Sequence, residues 1–180
     1  MHENIYQSPL LTHQFVTNSV ADVQYAKPQR RVRPEVHRSL ARWIPLPTGL
    51  MKINVDVALA KKSGVVAAVA VARDTAGRFL GASAVVLEGR METNMVETIA
   101  CKEGLALASD LVLRDFISAC DNVGVIKSIK EGSMGTYGHV VQEIRARSND
   151  FRLVDFVHEG RQSNMDAHNL ARSCIYDKLG

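Results

Sequence analysis

The 180 residues suffice for one domain of ordinary size plus an extension, and 46% hydrophobic with 23% charged residues excludes a wholly disordered polyelectrolyte. A net charge of +3 and a pI of 8.8 permit a nucleic-acid partner without requiring one. The longest apolar run, Val65 to Ala72, is far short of the ~20 residues that span a bilayer, so no membrane association is expected.

Residues 1–40 are polar, hold no period of 2 or 3.6, and read as a flexible N-terminal extension; residues 41–180 read as the folded domain. Within the extension, Lys27-Pro28-Gln29-Arg30-Arg31-Val32-Arg33-Pro34 is basic and bracketed by prolines. It reads as a phosphate contact, an import signal or a solvated linker. The start of the chain lacks the apolar stretch of a secretory signal. Cys101, Cys120 and Cys174 lack metal-ligand spacing and sit in apolar runs, which predicts reduced, buried thiols. The expected setting is intracellular, nucleus or cytoplasm with an organelle left open, and the expected state is a monomer.

Trp43, Pro45, Pro47 and Gly49 predict an extended segment packed down by the tryptophan. Strands are predicted over Met51–Ala58, Val65–Arg73 and Arg78–Leu87, with a turn at Asp74–Gly77; the short connections make an antiparallel meander. From Thr93 to Leu113 the pattern is helical, with Asn94 as N-cap and Glu97 three residues on, in the first turn. Phe116–Cys120 reads as a strand ending at Asp121, Asn122–Glu131 as a helix stopped by Gly132, and Val140–Asn149 as a further helix. Phe151–His158 alternates as the last strand, and Ser163–Leu179 closes the chain as a helix. This order predicts an α/β fold, a mixed sheet with helices on its faces.

In the first strand Ile53, Val55 and Val57 share one face, with Lys52, Asn54 and Asp56 on the other. A carboxylate there needs a partner: a neighbouring loop, a cation or a metal. Glu97, Ala100, Cys101, Gly104 and Ala108 share one helical face of small residues, which lets the helix lie close on a sheet. If the first and fourth strands are neighbours, Asp56, Glu97 and Asp121 converge. Converging carboxylates are stabilised by divalent cations, and two such ions about 4 Å apart promote phosphodiester cleavage.

The run Trp43…Pro47…Gly49…Lys52-Ile53-Asn54-Val55-Asp56, Arg73-Asp74…Gly77, Asn94…Glu97…Ala100, Asp121-Asn122 and Arg161…Asn164…Ala167-His168…Leu170-Ala171 resembles the ribonuclease H-like domain. The resemblance is to the plant type, found alone or beside the reverse transcriptases of retroelements, and covers Trp43 to Leu179. It implies a five-stranded mixed sheet in the order 3-2-1-4-5 and Mg²⁺-dependent hydrolysis of the RNA strand of RNA–DNA hybrids, with Mn²⁺ as a substitute. It implies that Asp56, Glu97, Asp121 and His168 form the catalytic and metal-binding set. Asn54, Asn94, Asn122, Arg161 and Asn164 then become expected nucleic-acid contacts, and His158 lies near a mobile histidine of some relatives.

The chain departs from that pattern at three places. His168 stands at the fourth acidic position, and Asp166 is about 200° around the helix from it, which argues against substitution. Val57 stands where relatives usually have glycine, and the expected glycine-rich loop is reduced to Lys61-Lys62-Ser63-Gly64. A nucleic-acid-binding module without turnover is therefore the alternative reading. Arg145, Arg147, Arg152 and Arg161 form either a phosphate-contacting stripe or a solvated face.

Overall fold

The computed structural model describes residues 46–47, 49–60, 62–132 and 135–179, with side chains to 176. The expectations for Trp43, for the extension over 1–40 and its basic cluster, and for Lys61 lie outside the described residues. Five strands are present: β1 (Met51–Ala60), β2 (Val65–Arg73), β3 (Phe79–Glu88), β4 (Asp115–Cys120) and β5 (Leu153–His158). The helices are α1 (Thr93–Asp110), α2 (Val123–Glu131), α3 (Gly138–Ser148) and α4 (Met165–Leu179), with a 3-10 turn over Arg161–Ser163. The sheet order is β3-β2-β1-β4-β5. β1 is antiparallel to β2, and β2 to β3, while β1–β4 and β4–β5 are parallel. The expected mixed sheet and its order are what the chain forms.

Alternation in β1 decides which helix covers which side. Ile53 and Val55 are buried in a core that includes Val96, Ala100, Cys101, Leu105 and Ala108 of α1, with Val125 of α2 and Ile144 of α3. On the opposite side Ala58 joins Ala67, Val69 and Val71 of β2 against Ala167, Leu170, Ala171 and Cys174 of α4. β2 is buried on both sides over Val65–Ala72, which is why it reads as a continuous Val/Ala run. α1 approaches closely because its inner face is small: a β-carbon on Gly104 would lie 3.0 Å from Val55 Cγ1.

Element ends differ from expectation for identifiable reasons. Asn94 does not cap α1; Glu92 is the capping residue, with no side-chain cap bond, so Glu97 falls in the second turn. Asn94 instead accepts a bond from Asn122 Nδ2 at 3.1 Å. Asn122 precedes α2 as its cap, accepting from the Val125 amide at 3.1 Å. α1 ends at Asp110 because the Leu113 amide folds back to the Ala108 carbonyl at 2.9 Å. Phe151 is not in β5; its ring packs edge-on against Phe116, with centroids 5.0 Å apart. The final helix starts at Met165, the 3-10 turn taking up the residues before Asn164.

Below Asn54 on the α4 side, Lys52 is wholly buried and paired with Glu159, the residue after β5. Removing one member of such a pair leaves a charge in the interior. Lys52→Met should therefore lower stability by about 3 kcal/mol in urea unfolding, and adding Glu159→Leu should recover most of the loss. Val112, 77% exposed, takes the left-handed position that ends α1 at φ 55°. Val112→Gly should stabilise the fold by about 1 kcal/mol, read as a higher unfolding midpoint, because strain is lost and no packing is.

Candidate functional site

The parallel ladder between β1 and β4 ends at Asn54 opposite Ala119. Continuing that register by two residues sets Asp56 level with Asp121, where the strands part. The chain reverses direction across the sheet at the same place: β2 and β3 extend to one side of β1, β4 and β5 to the other. Crevices of this kind, at the carboxyl ends of parallel strands, are where open α/β sheets bind ligands.

Glu97 reaches the crevice from α1, and Asp121 from the residue after β4. Their carboxylate oxygens and the Cys120 sulfur lie within 4.8 Å of one another. Cys120 Sγ donates to Glu97 Oε2 at 3.7 Å and accepts from the Asn122 amide at 3.4 Å. Asp56 is buried; its Oδ1 accepts from the Val57 amide at 2.8 Å, and its Oδ2 lies 2.8 Å from His168 Nδ1. Arg161 Nη2 lies 3.3 Å from His168 Nδ1 and 3.2 Å from Nε2.

Electrostatics follow from this crowding. Burial pushes the Glu97 carboxyl up to about 7, helped by the negative charges of Asp121 and Asp56. Burial also raises Asp56, against the pull of the Val57 amide and of His168. The neighbouring Cys101 thiol and burial raise the Cys120 thiol, so it stays protonated and packs as a small apolar group. All three cysteines are outside any disulfide and buried, as expected. An oxygen-rich, mutually repelling donor set fits a hard divalent cation.

The structure thus brings together Asp56, Glu97, Asp121 and His168, with Cys120, Asn94, Asn122 and Arg161 around them. Two of the expected nucleic-acid contacts are buried. Asn164 is 1% exposed and donates Nδ2 to the Val55 carbonyl at 2.8 Å, pinning the chain before α4 onto β1. Asn54 is buried beside Asp56 on the same side of the strand. Asp166 is directed away from the site: it is 59% exposed and held by Arg73 of β2 at 2.7 Å. Val57 turns its side chain to the α1 core, opposite Asp56. Gly64 is left-handed at φ 69°, and its carbonyl accepts from Gly89, closing the β1–β2 loop against the end of β3.

Of the arginines read as a stripe, Arg145 donates to the carbonyls of Ile129 and Lys130. Arg152 pairs with Asp115, and Arg147 lies 4.0 Å from Glu143. His158 is exposed at the end of β5. Sequence reasoning missed Cys120 as a neighbour of the site, although its place before Asp121 was a usable signal. It also missed Glu159 as the partner of Lys52, for which no local pattern exists.

The raised Glu97 sets a pH dependence. Between its ordinary 4.5 and about 7 the folded chain binds more protons than the unfolded chain, so stability falls as pH rises through that window. In chelator-treated buffer, Glu97→Gln should be more stable than the parent above pH 7, by on the order of 2–3 kcal/mol. The two melting curves should converge toward pH 4.5, and a constant difference across that range would contradict the assignment.

The family described as reverse transcriptase-like matches residues 54–174. Among solved structures, ribonuclease H1 of the halophilic archaeon Halobacterium salinarum is 22% identical, with TM-score 0.61, over 72% of this chain and 99% of that one. The N-terminal ribonuclease H domain of a Mycobacterium tuberculosis protein is 18% identical, with TM-score 0.62, over 72% and 98%. A ribonuclease H1 isolated from compost, in complex with an RNA/DNA hybrid, is 20% identical, with TM-score 0.63, over 72% and 99%. A search of curated proteins matched none. These structures share the fold of this chain.

Proposed function

Because the chain belongs to the reverse transcriptase-like family of ribonuclease H-like domains, we propose that it is a metal-dependent endoribonuclease that hydrolyses the RNA strand of RNA–DNA hybrids. The observation that carries the reading is the convergence of Asp56, Glu97 and Asp121 where β1 and β4 part, with Glu97 raised to about 7 by burial and then by its acidic neighbours. Those three residues would hold a divalent cation, Mg²⁺ or Mn²⁺. When bound, such a cation supplies Lewis acidity toward a phosphodiester and neutralises the charge that develops there.

The rest falls to the chain. Burial of Asp56 and Glu97 keeps the carboxylates in a low-dielectric crevice, where a cation is held strongly. The Val57 amide and His168 orient Asp56 from two sides. Asn94 and Asn122, bonded to each other and half-buried at the rim, offer donors and acceptors to the 2′-hydroxyls that distinguish RNA from DNA. Arg161 is exposed beside the site and can meet a backbone phosphate. Among the described residues no helix is long and apolar enough to cross a membrane. With three buried cysteines outside any disulfide, an intracellular setting in nucleus or cytoplasm is our reading.

One observation favours a second reading. His168 occupies an Asp56 oxygen that a metal would use, which suits a module that binds hybrid without cutting it. Cleavage of a labelled RNA–DNA hybrid in Mg²⁺ and in Mn²⁺ separates the two. The nuclease reading expects cutting by the parent and at least a ~10³-fold loss in Asp121→Asn, on the scale of removing one group that stabilises transition-state charge. Salt-sensitive binding of the hybrid with no cutting in either metal would establish the module instead.

A further inference from the structure

The corner of the site contributed by α4 carries a donor and a positive charge instead of a metal ligand. His168 Nδ1 is 2.8 Å from Asp56 Oδ2. A carboxylate that holds a cation is ionised and only accepts, so in the cation-bound site the proton of this bond lies on Nδ1, and this nitrogen has no lone pair to offer. Nε2 lies on the far side of the ring, away from Asp56. A cation shared with Asp56 could reach the imidazole only by breaking the hydrogen bond.

Arg161 adds the second observation. Its Nη2 is nearly equidistant from the two ring nitrogens, at 3.3 and 3.2 Å. In the ring plane that position would collide with the carbon between them, so Nη2 lies out of the plane, over the face of the ring, where a cationic nitrogen is favourably placed. The other α4 carboxylate that could serve, Asp166, is engaged by Arg73 through both Nε and Nη2.

We propose that His168 is a positioning residue for Asp56, and that the Arg161–His168 pair stands where a second cation would bind, so that the site takes one divalent cation on Glu97, Asp121 and Asp56. The inference rests on the cation-binding reading of those carboxylates. It assigns His168 to the hydrogen-bonded support around the metal, whose loss typically weakens metal binding 10- to 100-fold.

The test is calorimetric titration of the full chain with Mn²⁺, together with nitrogen NMR of the His168 ring in Mg²⁺. The parent should bind one Mn²⁺, with the proton still on Nδ1 in the Mg²⁺-loaded protein. His168→Ala should keep one site at about 10- to 100-fold lower affinity. His168→Asn, which restores an N–H donor without a ligating nitrogen, should recover most of it. His168→Asp with Arg161→Gln should acquire a second Mn²⁺. Two ions on the parent, a metal-shifted His168 nitrogen, or loss of an ion in His168→Ala would overturn the proposal and leave the cation reading standing. No Mn²⁺ binding by the folded parent would overturn both.

Discussion

Mutual repulsion among three crowded carboxylates, two of them buried, is the condition to which the rest of this fold answers. Asp56, Glu97 and Asp121 come from a central strand, a helix and a strand end; Asp121 raises the electrostatic cost of charging both Asp56 and Glu97, and Asp56 raises that of Glu97. Hydrophobic collapse alone would not place them together. The arrangement holds because the elements that carry them are fixed by apolar packing away from the crevice. Val96, Ala100 and Leu105 anchor α1, while Phe116 and Ala119 anchor β4. Function here is stored as strain against a well-packed core, the usual relation between a site and its scaffold.

Small residues determine how close that arrangement can be. Gly104 faces Val55 and Ile53, so α1 rests nearly on the backbone of β1 and brings Glu97 to the crevice. The same closeness buries Cys101 and Cys120 side by side beneath Glu97. The opposite side of the sheet is built differently: among the described residues it carries helix α4 and a buried ion pair between Lys52 and Glu159. That pair resists slippage of β1, since a shift by one residue would carry Lys52 into the apolar core under α1.

Much of this was legible in the sequence, and the limits have physical causes. Alternation in β1, the Val/Ala run of β2 and the short connections between strands predict the meander, because these patterns reflect local burial. The small-residue face of α1, read with Asp56 and Asp121, predicts where the acidic site forms. The cap of α1 was misread because Asn94 spends its side chain on Asn122, a residue 28 positions away. Asn164 was read as a nucleic-acid contact; its bond to the Val55 carbonyl depends on how α4 docks across β1. The Lys52–Glu159 pair spans three strands and leaves no trace in any window of sequence. His168 was legible as a departure, yet its hydrogen bond to Asp56 and its close contact with Arg161 became visible only in three dimensions.

The chain entering α4 is attached to β1 at two consecutive residues, through Asn164 to the Val55 carbonyl and through His168 to Asp56. Two anchors so close together remove the freedom to pivot about either one. The α4 corner of the crevice therefore inherits the stiffness of the central sheet and cannot behave as a lid. Any opening of the crevice falls to its other borders, where α1, the β4–α2 junction and the β1–β2 loop meet solvent.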